Sequence, residues 1–186
     1  MSERRKFYVQ NFGCRATQSD GAAITADLSA RGLDREADWN AADVVVVNTC
    51  TVTAEADRDA RQAIRRIHRE NPSAEILVTG CYAQRRPEEL AEIPGVRWVV
   101  GNSHKPQIGT VIAPQAELVS IQPTHEAFHG GIAAGGRLVG DISKQRELLT
   151  APLNERHGDR SRPNLKVQDG CNNRCTFCII PSVRGL

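Results

Sequence analysis

The sequence is poor in aromatic residues, in net charge and in long apolar runs. Aromatic side chains make up 4 % of its 186 residues, and the formal net charge of +2 says little about binding partners. The longest purely aliphatic run covers residues 44–47, far short of the roughly 20 apolar residues that a membrane span needs. The charged residues at the N-terminus are not followed by the apolar core of a signal peptide. These absences predict a cytoplasmic protein with no membrane partner.

Six cysteines are present, although no secretion signal directs the chain to an oxidising compartment. In a reducing compartment, such cysteines favour metal binding or catalysis over disulfide formation. The apolar content of 40 % is sufficient for a hydrophobic core. A length of 186 residues is enough for one complete domain and part of a second.

Strand-like and helix-like patterns alternate through the first 112 residues. Apolar and β-branched runs predict strands at residues 6–12, 44–47, 75–78 and 97–100. Helical periodicity predicts helices at residues 18–31, 54–70, 87–93 and, with interruptions, 105–112. The predicted buried face of the first helix consists of alanines, namely Ala22, Ala23, Ala26 and Ala30. This alternation predicts an α/β fold with an open parallel sheet and flanking helices over residues 1–112.

The remainder of the chain is predicted to be less regular. We predict a linker at residues 113–160, flexible in part because of its paired glycines at 130–131 and 135–136. Residues 161–186 are predicted to begin a second domain, with a strand at 164–168 that leads into a cysteine-rich loop. The chain reaches Leu186 before a further strand of that domain, so we expect a truncated member of its class.

The cysteine-rich loop, residues 170–178 (GCNNRCTFC), contains Cys171, Cys175 and Cys178. So short a loop directs three sulfurs toward one metal centre, and thiolates select zinc, copper(I) or iron–sulfur clusters. A 4Fe–4S cluster normally has four cysteine ligands, so three would leave one iron open. The alternatives are free thiols and structural zinc, which would need a fourth ligand such as His157. We predict an iron–sulfur cluster.

The other three cysteines, Cys14, Cys50 and Cys81, each follow a predicted strand. The carboxyl ends of parallel strands meet at one edge of the sheet, where open α/β sheets bind ligands. We therefore predict that the fold brings these cysteines together as a second site for a cluster with three cysteine ligands. The alternative is three ordinary buried cysteines, since free cysteine is among the most buried residue types.

The spacing of the loop cysteines, with Phe177 directly before the last of them, resembles that of the radical S-adenosylmethionine (SAM) enzymes. The resemblance implies that Cys171, Cys175 and Cys178 hold a 4Fe–4S cluster whose open iron binds SAM. It also implies that the aromatic position of Phe177 helps to seat the adenine of SAM. Below, Cys171, Cys175 and Cys178 are called the second triad, and residues 170–178 are called the second triad loop. Cys14, Cys50 and Cys81 are called the first triad.

The two triads together resemble those of the radical SAM methylthiotransferases. The motifs at residues 47–53 (VNTCTVT), 78–84 (VTGCYAQ) and 167–171 (VQDGC) are similar to those of the subgroup that acts on tRNA. The resemblance covers most of residues 6–104 and 164–186. One departure lies at residues 16–20 (ATQSD), where the family commonly has asparagine, and we expect altered local hydrogen bonding there.

This resemblance implies an enzyme that thiomethylates C2 of N6-threonylcarbamoyladenosine at position 37 of tRNA. The implied cofactors are SAM and two 4Fe–4S clusters: one cluster cleaves SAM to a 5′-deoxyadenosyl radical, and the cluster on the first triad donates sulfur. No catalytic residue is expected beyond the cluster ligands.

The implied partners are the tRNA anticodon loop and an electron donor such as flavodoxin or ferredoxin, but not DNA, and we expect a monomer. Two alternatives are open: a ribosomal-protein aspartate methylthiotransferase, which shares both triads, and a non-catalytic iron–sulfur fragment.

Overall fold

A six-stranded parallel sheet runs through the computed structural model, which describes residues 4–114, 136–145, 148–150 and 166–186. The strands are β1 (Lys6–Asn11), β2 (Asp34–Arg35), β3 (Val44–Thr49), β4 (Glu75–Gly80), β5 (Val96–Gly101) and β6 (Gly136–Leu138). Their order across the sheet is β2-β1-β3-β4-β5-β6, and every neighbouring pair is parallel. The predicted α/β fold with an open parallel sheet is confirmed, with two strands, β2 and β6, that were not predicted.

Six α-helices connect or flank these strands among the described residues. They are α1 (Arg15–Ala30), α2 (Ala54–Glu70), α3 (Cys81–Arg85), α4 (Pro87–Ala91), α5 (Ile108–Ile112) and α6 (Ile180–Arg184). Helix α2 has the predicted bounds, and its first turn is capped by the Thr53 hydroxyl, which accepts a hydrogen bond of 3.1 Å from the Ala56 N–H. The predicted helix at 105–112 is divided between a 3-10 turn, Asn102–Gln107, and α5.

The sheet has a hydrophobic core on each face, because the valines of β3 point alternately to opposite sides. Val44 and Val46 belong to one core, which α1 and α5 cover, and Val45 and Val47 belong to the other, which α2, α3 and α4 cover. All six residues of β3 are buried. A continuous apolar strand is typical of a parallel sheet with helices on both faces.

Helix α1 buries only one of the four alanines predicted for its buried face. Ala23 is buried as predicted, whereas Ala30 is exposed and Ala22 and Ala26 are half-buried. The large apolar contacts come from Ile24 and Leu28, one helical turn apart, because branched side chains remove more apolar area from water than methyl groups do. The helix also begins three residues before the predicted start, at Arg15.

The chain after α5 contributes to the sheet and then packs against the edge where the first triad lies. Strand β6 lies within the stretch predicted as linker and pairs with β5 through Trp98–Gly136 and Val100–Leu138. The linker residues 115–135, 146–147 and 151–160, which include the paired glycines up to Gly135 and also His157, lie outside the described residues. The domain boundaries stay a prediction.

The predicted strand at residues 164–168 is absent from its described part, residues 166–168. The Lys166 side chain is buried and donates a hydrogen bond of 2.6 Å to the Asp20 carboxylate, so a charge contact, and not strand pairing, fixes this segment. The described residues of the C-terminal segment, 166–186, contain α6 and otherwise loops and turns, and the start of a radical SAM barrel remains a prediction.

A buried ion cluster joins the C-terminal segment to α1. The Asp20 carboxylate is fully buried and accepts hydrogen bonds from Lys105 Nζ (2.7 Å), Lys166 Nζ (2.6 Å) and Arg184 Nη2 (2.9 Å). Asp169 accepts from Lys166 Nζ and, at 2.6 Å, from Arg184 Nη1. Burial raises the pKa of Asp20, but the three cations outweigh burial and lower it to about 2. We call these five residues the Asp20 ion cluster.

The first prediction concerns Asp20→Asn, which removes the negative charge that the three cations share. A buried ion that loses its partner is destabilising by about 3 to 5 kcal/mol, so we expect a loss of this order in the free energy of unfolding, measured in urea. The control is Asp27→Asn on the same helix, because Asp27 forms a surface pair with Arg31 and its loss should change the stability by about 1 kcal/mol at most. Equal stability of the two variants would contradict the structural role of Asp20.

Candidate metal centres

The first triad lies at the carboxyl ends of three adjacent strands. Cys14 follows β1 after two residues, Cys50 directly follows β3, and Cys81 directly follows β4 as the first residue of α3. The strand order places β1, β3 and β4 side by side, and the last residues of β3 and β4, Thr49 and Gly80, are paired in register. The fold therefore gathers the three cysteines at one edge of the sheet, as predicted, and their role as ligands stays a prediction.

Glycine allows the loop after β1 to approach Cys50 closely. Gly13 has a φ of +97°, and a Cβ added to it would lie only 2.8 Å from the Cys50 Sγ. Gly80, before Cys81, has a φ of +100°, and its Cβ would lie 2.6 Å from the Thr49 nitrogen. Real Cβ contacts are longer, so both turns need glycine for space as well as for backbone conformation.

Cys14 is the exposed cysteine of the first triad, and hydrogen-bonding groups lie around its sulfur. Its Sγ lies 3.4 Å from the Thr17 hydroxyl, one turn into α1. Burial raises the pKa of the Cys14 thiol, but hydrogen bonds from Thr17 and from the Ala16 backbone, together with the Arg184 guanidinium, outweigh burial and lower it. The shift is in the direction of the thiolate, the form that binds a metal. Thr17 belongs to residues 16–20, where altered hydrogen bonding was expected.

Asn102, which follows β5 at the same edge of the sheet, contacts the sulfur of Cys81. Its side-chain nitrogen lies 3.6 Å from the Cys81 Sγ and donates to the backbone oxygen of Val183 at 2.6 Å. Cys50 and Cys81 are both buried, and so is Asn102. The first triad therefore has a hydrogen-bond donor from a fourth strand end and a direct connection to the C-terminal segment.

The second triad lies in a tight loop that α6 supports. The Cys171 N–H donates to the backbone oxygen of Gly185 at 3.0 Å, and the Cys178 N–H donates to the backbone oxygen of Cys175 at 3.1 Å. Cys175 is exposed, while Cys171 and Cys178 are partly buried. The side chain of Phe177 is 91 % exposed, so an aromatic face is available to a ligand at this position.

A groove of about 650 Å³ runs between the loop after β3 and the second triad loop. Its walls are residues 51–54, which follow Cys50, and residues 177–180, which include Cys178, together with the arginines Arg61, Arg85 and Arg86. Cys50 and Cys178 thus adjoin opposite walls of one groove. Asp57 and Glu89 also line it and pair with Arg85 (3.6 Å) and Arg61 (3.0 Å), so the three arginines and two carboxylates leave one net positive charge along the groove.

The donor set of both triads suits an iron–sulfur cluster. No group of three or more His, Cys, Asp or Glu side chains within the described ranges is close enough to hold a single metal ion. A 4Fe–4S cluster attaches each cysteine to a different iron, so its ligands stand further apart than those of one ion. Thiolate donors, the close approach of Gly13 to Cys50 and the donor from Asn102 fit such a cluster at the first triad.

Two functional features were not predicted from the sequence. Asn102 follows Gly101 at a strand end, just as Cys14 and Cys81 follow glycines, and that shared pattern could have identified it. The Asp20 ion cluster had no comparable signal, because Lys166 and Arg184 are 146 and 164 residues from Asp20 along the chain.

These features define a class: a parallel α/β domain that gathers cysteines at its ligand-binding edge and carries a second cysteine loop against it. A family model described as uncharacterized protein family UPF0004 matches residues 6–101, and the chain belongs to this family. The match covers β1 to β5 and all of the first triad.

Named relatives extend the likeness beyond the family model. The chain is 37 % identical over 180 residues to the threonylcarbamoyladenosine tRNA methylthiotransferase MtaB of Aquifex aeolicus, covering 97 % of this chain and 40 % of the relative. For MtaB of Bacillus subtilis the identity is 41 % over 176 residues, covering 94 % and 35 %. For the ribosomal protein uS12 methylthiotransferase RimO of Carboxydothermus hydrogenoformans it is 29 % over 189 residues, covering 97 % and 37 %. The predicted resemblance to the methylthiotransferases is confirmed.

The chain spans 35 to 40 % of the length of these three relatives. Among the described residues, no helix is both long and apolar enough to cross a membrane.

The second prediction tests the close approach of Gly13 to Cys50. Gly13→Ala should displace the Cys50 side chain and lower the iron bound at the first triad, measured after anaerobic reconstitution in a protein whose second-triad cysteines are alanine. Gly32→Ala is the matched control, because Gly32 also has a positive φ, +86°, but has no atom within 4 Å of an added Cβ. Both variants carry a backbone strain of about 1 to 2 kcal/mol, and only the first should lose iron. Equal iron content would contradict the prediction.

Proposed function

We propose that this chain carries the cluster sites of a radical SAM methylthiotransferase that modifies C2 of N6-threonylcarbamoyladenosine at position 37 of tRNA. The observation that carries the proposal is the first triad, in which three neighbouring strands of one sheet are each followed by a cysteine within three residues. The relatives named for this tRNA modification, at 37 and 41 % identity, support the choice of substrate.

Each triad has its own role in the proposal. Cys14, Cys50 and Cys81 would hold one 4Fe–4S cluster, and the second triad would hold the other, with Phe177 against the adenine of SAM. When bound, the cluster on the second triad would supply the electron that cleaves SAM, the cluster on the first triad would supply sulfur to the substrate, and a further SAM would supply the methyl group. A flavodoxin or ferredoxin would provide the electron.

The chain's own residues would bind and orient these groups. Gly13 and Gly80 let the backbone approach the first cluster, and Thr17 and Asn102 offer donors to its sulfur ligands. The groove between residues 51–54 and 177–180 would place a flipped-out adenosine next to both triads. Arg86 and its neighbours along the groove would contact tRNA phosphates.

The third prediction is that the two triads load independently. Replacement of all three cysteines of either triad by alanine should remove about four irons per chain, measured by iron and sulfide analysis after anaerobic reconstitution. Addition of SAM should change the electron paramagnetic resonance signal of the reduced protein only where the second triad is intact. Zinc in place of iron, or an iron content that one triad alone accounts for, would contradict the assignment of two clusters.

The fourth prediction concerns the substrate. Deletion of the gene should abolish 2-methylthio-N6-threonylcarbamoyladenosine in bulk tRNA, measured by mass spectrometry of nucleosides, and the intact gene should restore it. A gene copy with Cys50→Ala should not restore it, because the first triad would be incomplete. If the tRNA nucleosides are unchanged and the methylthio-aspartate of ribosomal protein uS12 is lost instead, the substrate is the one for which the RimO relatives are named.

A further inference from the structure

The three residues Val183, Arg184 and Gly185 lie between the two triads and contact the surroundings of both. The Val183 oxygen accepts the hydrogen bond from Asn102, whose same nitrogen lies 3.6 Å from the Cys81 Sγ. Two residues later, the Gly185 oxygen accepts from the Cys171 N–H at 3.0 Å. A Cβ added to Gly170 would collide with the Gly185 carbonyl, so the backbone contact is close on that side too. Arg184 is therefore placed between a ligand of each triad.

The Arg184 side chain is held in one orientation by two carboxylates. Its Nη2 donates to Asp20 at 2.9 Å and its Nη1 donates to Asp169 at 2.6 Å, and the side chain is 4 % exposed. Asp20 belongs to α1, whose N-cap is Cys14, and Asp169 lies two residues before Cys171. A buried guanidinium with both edges bonded cannot turn away toward solvent.

The charges of the Asp20 ion cluster do not cancel. Lys105, Lys166 and Arg184 supply three positive charges, whereas Asp20 and Asp169 supply two negative charges, which leaves one net positive charge. Removal of any one of the three cations would balance the cluster, and of the three only Arg184 lies between Val183 and Gly185, which contact the surroundings of the two triads.

This charge lies beside the surroundings of the first triad. Asp20, which accepts from the guanidinium, belongs to the helix whose N-cap is Cys14. The Val183 oxygen and the Cys81 Sγ both contact the same side-chain nitrogen of Asn102, at 2.6 and 3.6 Å. An iron–sulfur cluster with thiolate ligands becomes more negative on reduction. A fixed cation and hydrogen bonds to its sulfurs therefore favour the reduced form, by an amount that burial increases.

We propose that Arg184, oriented by Asp20 and Asp169, is a positioning residue that sets the reduction potential of the cluster on the first triad by compensating its charge. The inference rests on the proposed function for the presence of that cluster.

The test compares midpoint potentials of the first cluster in a protein whose second-triad cysteines are alanine. Arg184→Met removes the charge and keeps a long side chain. Arg184→Lys keeps the charge but replaces the planar guanidinium, which bonds the two carboxylates through separate nitrogens, with a single ammonium. Arg137→Met is the control, because Arg137 forms an exposed pair with Glu88 and its loss changes the net charge equally. Redox titration followed by electron paramagnetic resonance measures the potential, and circular dichroism verifies folding.

We expect Arg184→Met to make reduction at least tenfold less favourable, a fall of about 59 mV for one electron. Arg184→Lys should restore most of this difference, and Arg137→Met should leave the potential unchanged. An unchanged potential in Arg184→Met, or an equal fall in the lysine and methionine variants, would overturn the proposal. If Arg184→Met does not fold, Arg184→Gln is titrated in its place and the same outcomes decide. A protein without iron in every variant would instead overturn the proposed function, and this inference with it.

Discussion

The contact of one buried carboxylate with three cations connects the two halves of the described structure. Asp20 lies on α1, Lys105 lies in the turn after β5, and Lys166 and Arg184 come from the segment that carries the second triad. A carboxylate without partners would be strongly unfavourable in this position, and so would the three cations without it. The mutual dependence is stronger than a surface ion pair would be, because water cannot replace either partner. The position of the second triad relative to the sheet depends on this contact.

The placement of the first triad could be predicted because local signals suffice for it. The four valines at residues 44–47 identify a strand buried on both faces, and such strands belong to parallel sheets. Once the sheet is parallel, its carboxyl ends share an edge, and Cys50 and Cys81 must emerge beside each other. The amphipathic pattern of α2 likewise predicted both ends of that helix. In each case the information lies within a few residues of the element concerned.

The remaining features depend on partners that are distant in the sequence. Strand β6 has three residues, too few for a periodic pattern, and exists because β5 offers it an edge. Residues 166–168 have the composition of a strand, but the Lys166 ammonium is drawn into the interior by Asp20, and no strand forms there. Asp20 on α1 shows the same limit, because a charged residue at position 20 looks like a surface residue until its three cations are known.

The two triads have the same donor atoms and different surroundings, and the difference is a matter of electrostatics. Two of the first three cysteines are buried, with a side-chain amide against one sulfur and a guanidinium bonded to Asp20 on the helix whose N-cap is Cys14. The second three are exposed or partly buried, and the backbone N–H groups of Cys171 and Cys178 donate hydrogen bonds to backbone oxygens. Because burial, charge and hydrogen bonds to sulfur shift the potential of a cluster, identical ligand sets would give unequal potentials here. A single buried arginine between the triads would then distinguish the two sites while it holds them together.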